Sequence, residues 1–166
     1  MVLDTHVLLW WLSGSANLPA RARKALGSAI AKGPVTLSAI SIFEIATGVR
    51  RGRIELRQPL EDWFQDLVRL PEIRIAPVSA VIAAHAAGFD DNVHGDPADR
   101  IILATASVLG LPLATADEKL RSSKLMSRRP RQFTAAITRR ATSVSTNAVS
   151  RPRSRVAGPV RWQWRE

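Results

Sequence analysis

Short apolar runs separated by longer amphipathic stretches set the rhythm of the chain. Met1-Val2-Leu3 is apolar without alternation, which suits a central strand of a parallel sheet, buried on both faces. It ends at Asp4-Thr5, and His6 to Leu12 reads as a buried helix. Ser13 to Asn17 is a turn cluster. From Pro19 to Lys32, helical spacing turns Ala22, Ala25, Ala29 and Ile30 inward and Arg21, Arg23 and Lys24 outward, until Gly33-Pro34 stops it. Val35-Thr36-Leu37 is a second short strand. The helix after it shows Ile40, Phe43, Ala46 and Thr47 as an inward face, with Ser38 or Ser41 as its cap; Ser41 and Glu44 have capping-box spacing. Leu60 to Leu70 is helical through Leu60, Trp63, Phe64, Leu67 and Val68. Ile73 to Ala76 alternates like a half-buried strand and leads to a helix over Ser79 to Ala87. Asp96 and Pro97 then form the N-cap and first position of a helix running through Ile101 to Ala106 and stopped by Gly110. Leu111 to Thr115 is a further strand, and Ala116 to Leu120 begins another helix.

Strands alternating with helices in this way imply an α/β fold whose mainly parallel sheet is covered by helices on both sides. Ligands of such sheets gather outside the carboxyl ends of the strands. Asp4 and Asp117 follow two of the strands, and Glu44, Asp96 and Asp99 lie at or near helix starts that can face the same end.

Composition narrows the setting. A chain of 166 residues, 46% of them hydrophobic, has room for one domain with a real core. No apolar run approaches the ~20 residues of a membrane span and no basic segment precedes the apolar start, so a soluble, unexported, cytoplasmic protein is expected. The lack of cysteine excludes disulfides and thiolate metal sites. The net charge of +10 invites a polyanionic partner, but it is unevenly placed. Residues 1–120 carry 12 Lys and Arg against 13 Asp and Glu, whereas residues 121–166 carry 12 against Glu166 alone. The folded part must therefore attract polyanions through local patches such as Arg50-Arg51-Gly52-Arg53.

Each acid has an ordinary structural role open to it. Asp4 can be a strand-end turn residue, Asp96 an N-cap, Asp99 a first-turn acid on a helix dipole, and Glu44 a capping-box partner. Four or five carboxylates on one rim, however, would repel one another and raise each other's pKa unless a cation held them. The donors on offer are oxygens, which favours Mg²⁺ or Mn²⁺ over Zn²⁺. Two such ions about 3.5–4 Å apart can activate a water and stabilise the leaving oxygen of a phosphodiester without a nucleophilic side chain. His85 reads as a packed core histidine, since no second histidine is spaced to join it. A phosphatase forming an aspartyl-phosphate at Asp4 would want a second acid two residues on, where His6 stands.

Four stretches carry a resemblance. Leu3-Asp4-Thr5-His6, Ser41 to Ala46 with the Gly48 to Ile54 turn, His94-Gly95-Asp96-Pro97-Ala98-Asp99-Arg100 with the run to Ala106, and Leu113 to Asp117 together resemble the PIN domain. The likeness is to VapC-type toxins of toxin–antitoxin pairs and covers residues 1–120 in order. It implies a PIN-like three-layer α/β/α sandwich with a mainly parallel central sheet, placed over residues 1–125. It also implies a Mg²⁺-dependent endoribonuclease, with Mn²⁺ as a substitute, that hydrolyses RNA and is inhibited by a cognate VapB-like antitoxin. Carried over by motif, Asp4, Glu44, Asp99 and Asp117 are catalytic residues and metal ligands. Asp96 stays open between cap, acceptor behind a ligand, and ligand. Thr5 and Thr115 are hydroxyls beside ligands, suited to supporting a water or a carboxylate or to bonding backbone. The alternative is a catalytically impaired RNA-binding or antitoxin-binding module. The apolar pairs Trp10-Trp11 and Trp63-Phe64 suit an antitoxin or a homodimer as well as they suit the core.

Residues 126–166 depart from the family pattern, which closes with a short apolar strand. Here the chain is rich in Arg, Ser, Thr and Pro, the composition of a disordered basic segment. It is either an RNA-tethering arm, with Trp162 and Trp164 stacking on bases, or an extraneous C-terminus. The missing last strand accords better with the second.

Overall fold

A computed structural model describes residues 1–90 and 96–117. Four strands form one parallel sheet among them: β1 (Val2–Leu3), β2 (Val35–Ser38), β3 (Ile73–Ala76) and β4 (Leu113–Ala114), in the spatial order β3-β2-β1-β4. Six helices surround it: α1 (Thr5–Leu12), α2 (Ala20–Ile30), α3 (Ala39–Arg50), α4 (Leu60–Arg69), α5 (Ala80–Ala87) and α6 (Pro97–Leu109). The chain lays β2 and then β3 outward from one side of β1 and crosses back to lay β4 on the other. Direction reverses between β1 and β4, so their carboxyl ends flank the crevice where sheets of this kind take ligands.

Neighbouring residues of a strand face opposite sides, and β1 uses both. Leu3 joins a core with Leu8, Leu26, Leu37, Ile45 and Trp63 from the α1–α4 side, while Val2 joins Ile82, Ile102, Leu103 and Leu113 on the α5–α6 side. Both residues are fully buried, which is why this strand shows no polar alternation. In β2, Val35 and Leu37 enter the first core, and alternation turns Thr36 and Ser38 towards α6. There Ser38 Oγ lies 3.1 Å from Thr105 Oγ1, whose own proton goes to the Ile101 carbonyl at 2.7 Å, so Ser38 is the donor. This buried pair joins the base of α3 to α6.

The elements lie where the pattern puts them, but three side-chain expectations are corrected. On α3 the buried face is Ser41, Ile45 and Gly48, and Phe43 is 65% exposed. The capping box is absent: Ser38 holds the N-cap position without a side-chain cap bond, its hydroxyl being engaged by Thr105, and Ser41 Oγ is buried without a partner. On α4, Val68 of the expected apolar face is exposed, while Trp63 serves the core rather than a partner. Asp96 caps α6 with Pro97 at its first turn, as the sequence indicates. His85 is packed, 2.9 Å from Ser107 Oγ and edge-on to Phe89.

Ala116 and Asp117 are outside any helix. The rest of the helix expected there, His94 and Gly95, and the basic segment 126–166 lie outside the described residues. No helix among the described residues is long and apolar enough to cross a membrane.

Candidate functional site

The site grows from the ends of β1 and β4. Asp4 continues β1 in extended backbone, donating its N–H to the Ala114 carbonyl at 3.0 Å, and its own carbonyl accepts from Leu8 to start α1. Its carboxylate makes no cap bond to that helix, although it occupies the N-cap position. Instead Thr115 Oγ1 donates to Asp4 Oδ2 at 2.7 Å, and Thr115 Oγ1 in turn accepts the Asp117 N–H at 3.0 Å. A chain of hydrogen bonds thus ties the two strand ends together across the crevice. One residue on, buried Thr5 donates its hydroxyl to Glu44 Oε2 on α3 at 2.6 Å. Both threonines therefore bond carboxylates, rather than spending their hydroxyl protons on nearby backbone.

The electrostatics follow from this crowding. Burial alone would lift the Asp4 pKa, but the nearby His6 and the Thr115 hydroxyl outweigh it and hold the carboxyl below its ordinary value. His6 Nδ1 lies 4.0 Å from Asp4 Oδ1, close enough to pair with it when the imidazole is protonated. Asp4 raises the His6 pKa against the opposing effect of burial, with Glu44 and Asp99 adding to the rise. Glu44 goes the other way. Burial pushes it up to about 6, the Thr5 hydroxyl pulls against that, and the negative charges of Asp99, Asp4 and Asp96 add to the rise.

Asp96 and Asp99 enter from α6. Asp96 Oδ1 accepts the Ala98 N–H at 2.8 Å, so one of its oxygens is engaged in capping. Asp99 is half-buried in the first turn. Its neighbour Arg100 braces that turn: Nε donates to the Ala86 carbonyl at 3.2 Å, Nη2 to the Phe89 carbonyl, and the guanidinium lies over the Phe89 ring. His6 and Arg100 are contributors that the sequence does not single out; both sit in motif stretches, but their partners are distant in the chain.

Beside the acids opens a cavity of ≈ 330 Å³, bordered by Thr5, His6, Glu44 and Asp96, and walled by Phe43 and the Arg51-to-Ile54 turn. Among the described residues, no three His, Asp or Glu side chains are gathered into a ready-made metal cage. The donor chemistry nonetheless fits a hard divalent cation. The carboxylates and hydroxyls converging here are hard oxygen donors with His6 beside them, and Glu44 carries the excess negative charge as a raised pKa, which a cation would relieve. Asp4, Glu44 and Asp99 are linked by hydrogen bonds or mutual charge effects. Asp117 joins through its backbone N–H.

A sequence model described as PIN domain matches residues 1–124. The chain is 36% identical over 124 residues to "Ribonuclease VapC22" of Mycobacterium tuberculosis, a match covering 75% of this chain and 92% of that protein. Among solved structures it is similar to a toxin–antitoxin complex from Klebsiella pneumoniae, with TM-score 0.54 and 23% identity over 74% of this chain and 91% of that one. It is similar also to VapBC2 from Rickettsia felis bound to a promoter DNA fragment, with TM-score 0.56 and 15% identity over 75% and 93%. A third likeness is to VapC20 of M. tuberculosis, described as a sarcin-ricin loop cleaving toxin, with TM-score 0.53 and 18% identity over 78% and 98%. At such identities the structural likenesses establish the fold.

Proposed function

The chain belongs to the PIN domain family, within it to the VapC ribonucleases, and from that premise we propose a Mg²⁺-dependent endoribonuclease toxin, acting in the cytoplasm and restrained by a VapB-like antitoxin. The observation that carries the reading is Glu44, lifted to about 6 by burial and by the carboxylates around it. His6, Arg51 and Arg53 border the same cavity, yet burial and the carboxylates outweigh them at Glu44, whose pKa stays raised. Glu44 is crowded by Asp99, Asp4 and Asp96 beside an open cavity.

In this reading Asp4, Glu44, Asp99 and Asp117 hold the ion, and Asp96 remains chiefly the cap of α6. Mg²⁺ or Mn²⁺, when bound, supplies activation of the attacking water and charge stabilisation of the leaving oxygen. The protein supplies orientation. Thr115 and Thr5 each fix one oxygen of a ligand carboxylate and so hold its orientation, and His6 lies beside the second Asp4 oxygen. Arg100 anchors the turn that carries Asp99, and the Ser38–Thr105 pair sets α3 against α6, and so Glu44 against Asp99.

Purified full-length protein is expected to cleave RNA with Mg²⁺ or Mn²⁺ and to stop on adding chelator. Asp4→Asn and Asp99→Asn should keep the circular dichroism of the parent and lose cleavage. Undiminished cleavage by both variants would overturn the assignment, and a folded wild type that binds RNA without cutting it would favour a non-catalytic module.

A further inference from the structure

We propose that the cavity beside the acids is a nucleotide subsite, in which Phe43 stacks on a base adjoining the cleaved phosphodiester and Arg51 and Arg53 hold a flanking phosphate. The inference rests on the ribonuclease reading above. Residues 40, 43, 44, 47 and 48 of α3 recur at helical spacing and all border the cavity, so the stripe that presents Glu44 also presents Phe43 beside it. Phe43 is 65% exposed, and Ile40, Ile54 and Pro97 add apolar wall around it. An exposed aromatic ring at the edge of a charged site, in a cavity with further apolar lining, is a platform for a flat ring.

The arginines are brought there by a built turn. Arg53 and Ile54 both donate their N–H groups to the Gly48 carbonyl, at 2.9 and 3.2 Å, and Gly52 makes the reversal at φ +67°. A Cβ on Gly48 would stand 2.5 Å from Ile54 Cδ1, so glycine is what lets buried Ile54 lie on α3. The turn folded down this way puts Arg51 and Arg53 on the cavity wall. Stacking aromatic and guanidinium groups side by side is the chemistry of single-stranded nucleic-acid sites. A nucleotide meets both the apolar and the basic parts of the cavity, with its ring on Phe43 and its phosphate on the arginines. An apolar peptide would cover Arg51 and Arg53 without offering them an anion.

The test uses full-length protein and single-stranded RNA oligonucleotides of mixed sequence, including a series with one abasic nucleotide moved across the cleaved bond. Phe43→Ala should lower kcat/KM about 5- to 150-fold, Phe43→Trp should retain it and Phe43→Leu should not. One abasic position should cost wild type a similar factor and cost Phe43→Ala little more. In an Asp4→Asn background, the double variant Arg51→Ala, Arg53→Ala should reduce the salt slope of RNA binding by about 0.7. If wild type cleaves and Phe43→Ala cleaves equally well, the subsite is overturned while the ribonuclease reading stands. Normal cleavage by Phe43→Ala with escape from a co-encoded inhibitor would assign the cavity to a protein and overturn it too. If wild type cleaves no RNA with any divalent metal, the ribonuclease reading fails and takes the subsite with it.

Discussion

Replacing Glu44 with glutamine removes a charge that the metal-free fold holds at a cost in stability. A carboxyl raised from its ordinary 4.5 to about 6 binds its proton more tightly in the folded chain than in the unfolded one. Its contribution is therefore fully present below pH 4.5 and is lost as pH rises through about 6. The rise corresponds to about 2 kcal/mol. Glu44 is only half-buried, and solvent screening brings this to about 1 kcal/mol. Glutamine does not titrate, and its amide oxygen can still accept from Thr5. In chelator at pH 7.5, Glu44→Gln should thus melt roughly 3–5 °C above wild type, and the gap should close towards pH 4.5. Adding Mg²⁺ should reverse the order, because ligand binding stabilises wild type and acts weakly on the variant. Thermal melts at two pH values, with and without metal, read all four states. A variant that melts at or below wild type in chelator at pH 7.5 would refute the electrostatic strain, and equal Mg²⁺ shifts in both proteins would refute Glu44 as a ligand.

Thr115→Val removes the donor to Asp4 and the acceptor of the Asp117 N–H; metal titration calorimetry should show affinity falling about 10- to 100-fold, with Thr115→Ser near wild type. Thr105→Val strands the buried Ser38 hydroxyl and should cost about 1–3 kcal/mol in urea unfolding, part of it recovered by adding Ser38→Ala. Unchanged stability in the single variant would show that the pair contributes nothing to holding α3 on α6. Gly48→Ala sets about 1 kcal/mol of helix propensity against about 1–3 kcal/mol of overpacking on Ile54. It should come out destabilising, and less so in an Ile54→Val background.

The elements were legible because each is announced by neighbours in the chain. Val2 and Leu3 lack alternation since both their faces are covered, and Asp96-Pro97 starts α6 through contacts within two residues. The acids at the strand ends could be picked out for the same reason: a short apolar run ending in Asp4 or followed by Asp117 already says which end of the sheet they occupy. The stripe on α3 was misread because periodicity records that residues share a face and are silent on what covers it. Ile40 packs on the α5–α6 core as well as lining the cavity, but Phe43 was apolar for the cavity alone, while small Ser41 and Gly48 took the close-packed side.

Convergence is a different matter. Thr5 meets Glu44 across 39 residues, and Asp4 meets Thr115 across 111. Ser38 gives up its capping bond for a hydroxyl 67 residues away. Those partners are chosen by the order of the strands and by how far α3 and α6 sink onto the sheet, which are properties of the packed core. Residue types and local spacing therefore specified the strands, the helices and an oxygen-only donor set. Packing between remote segments decided which hydroxyl serves which carboxylate, that Glu44 rather than Asp4 carries the unrelieved charge, and that Phe43 stands at the mouth of the site instead of within the core.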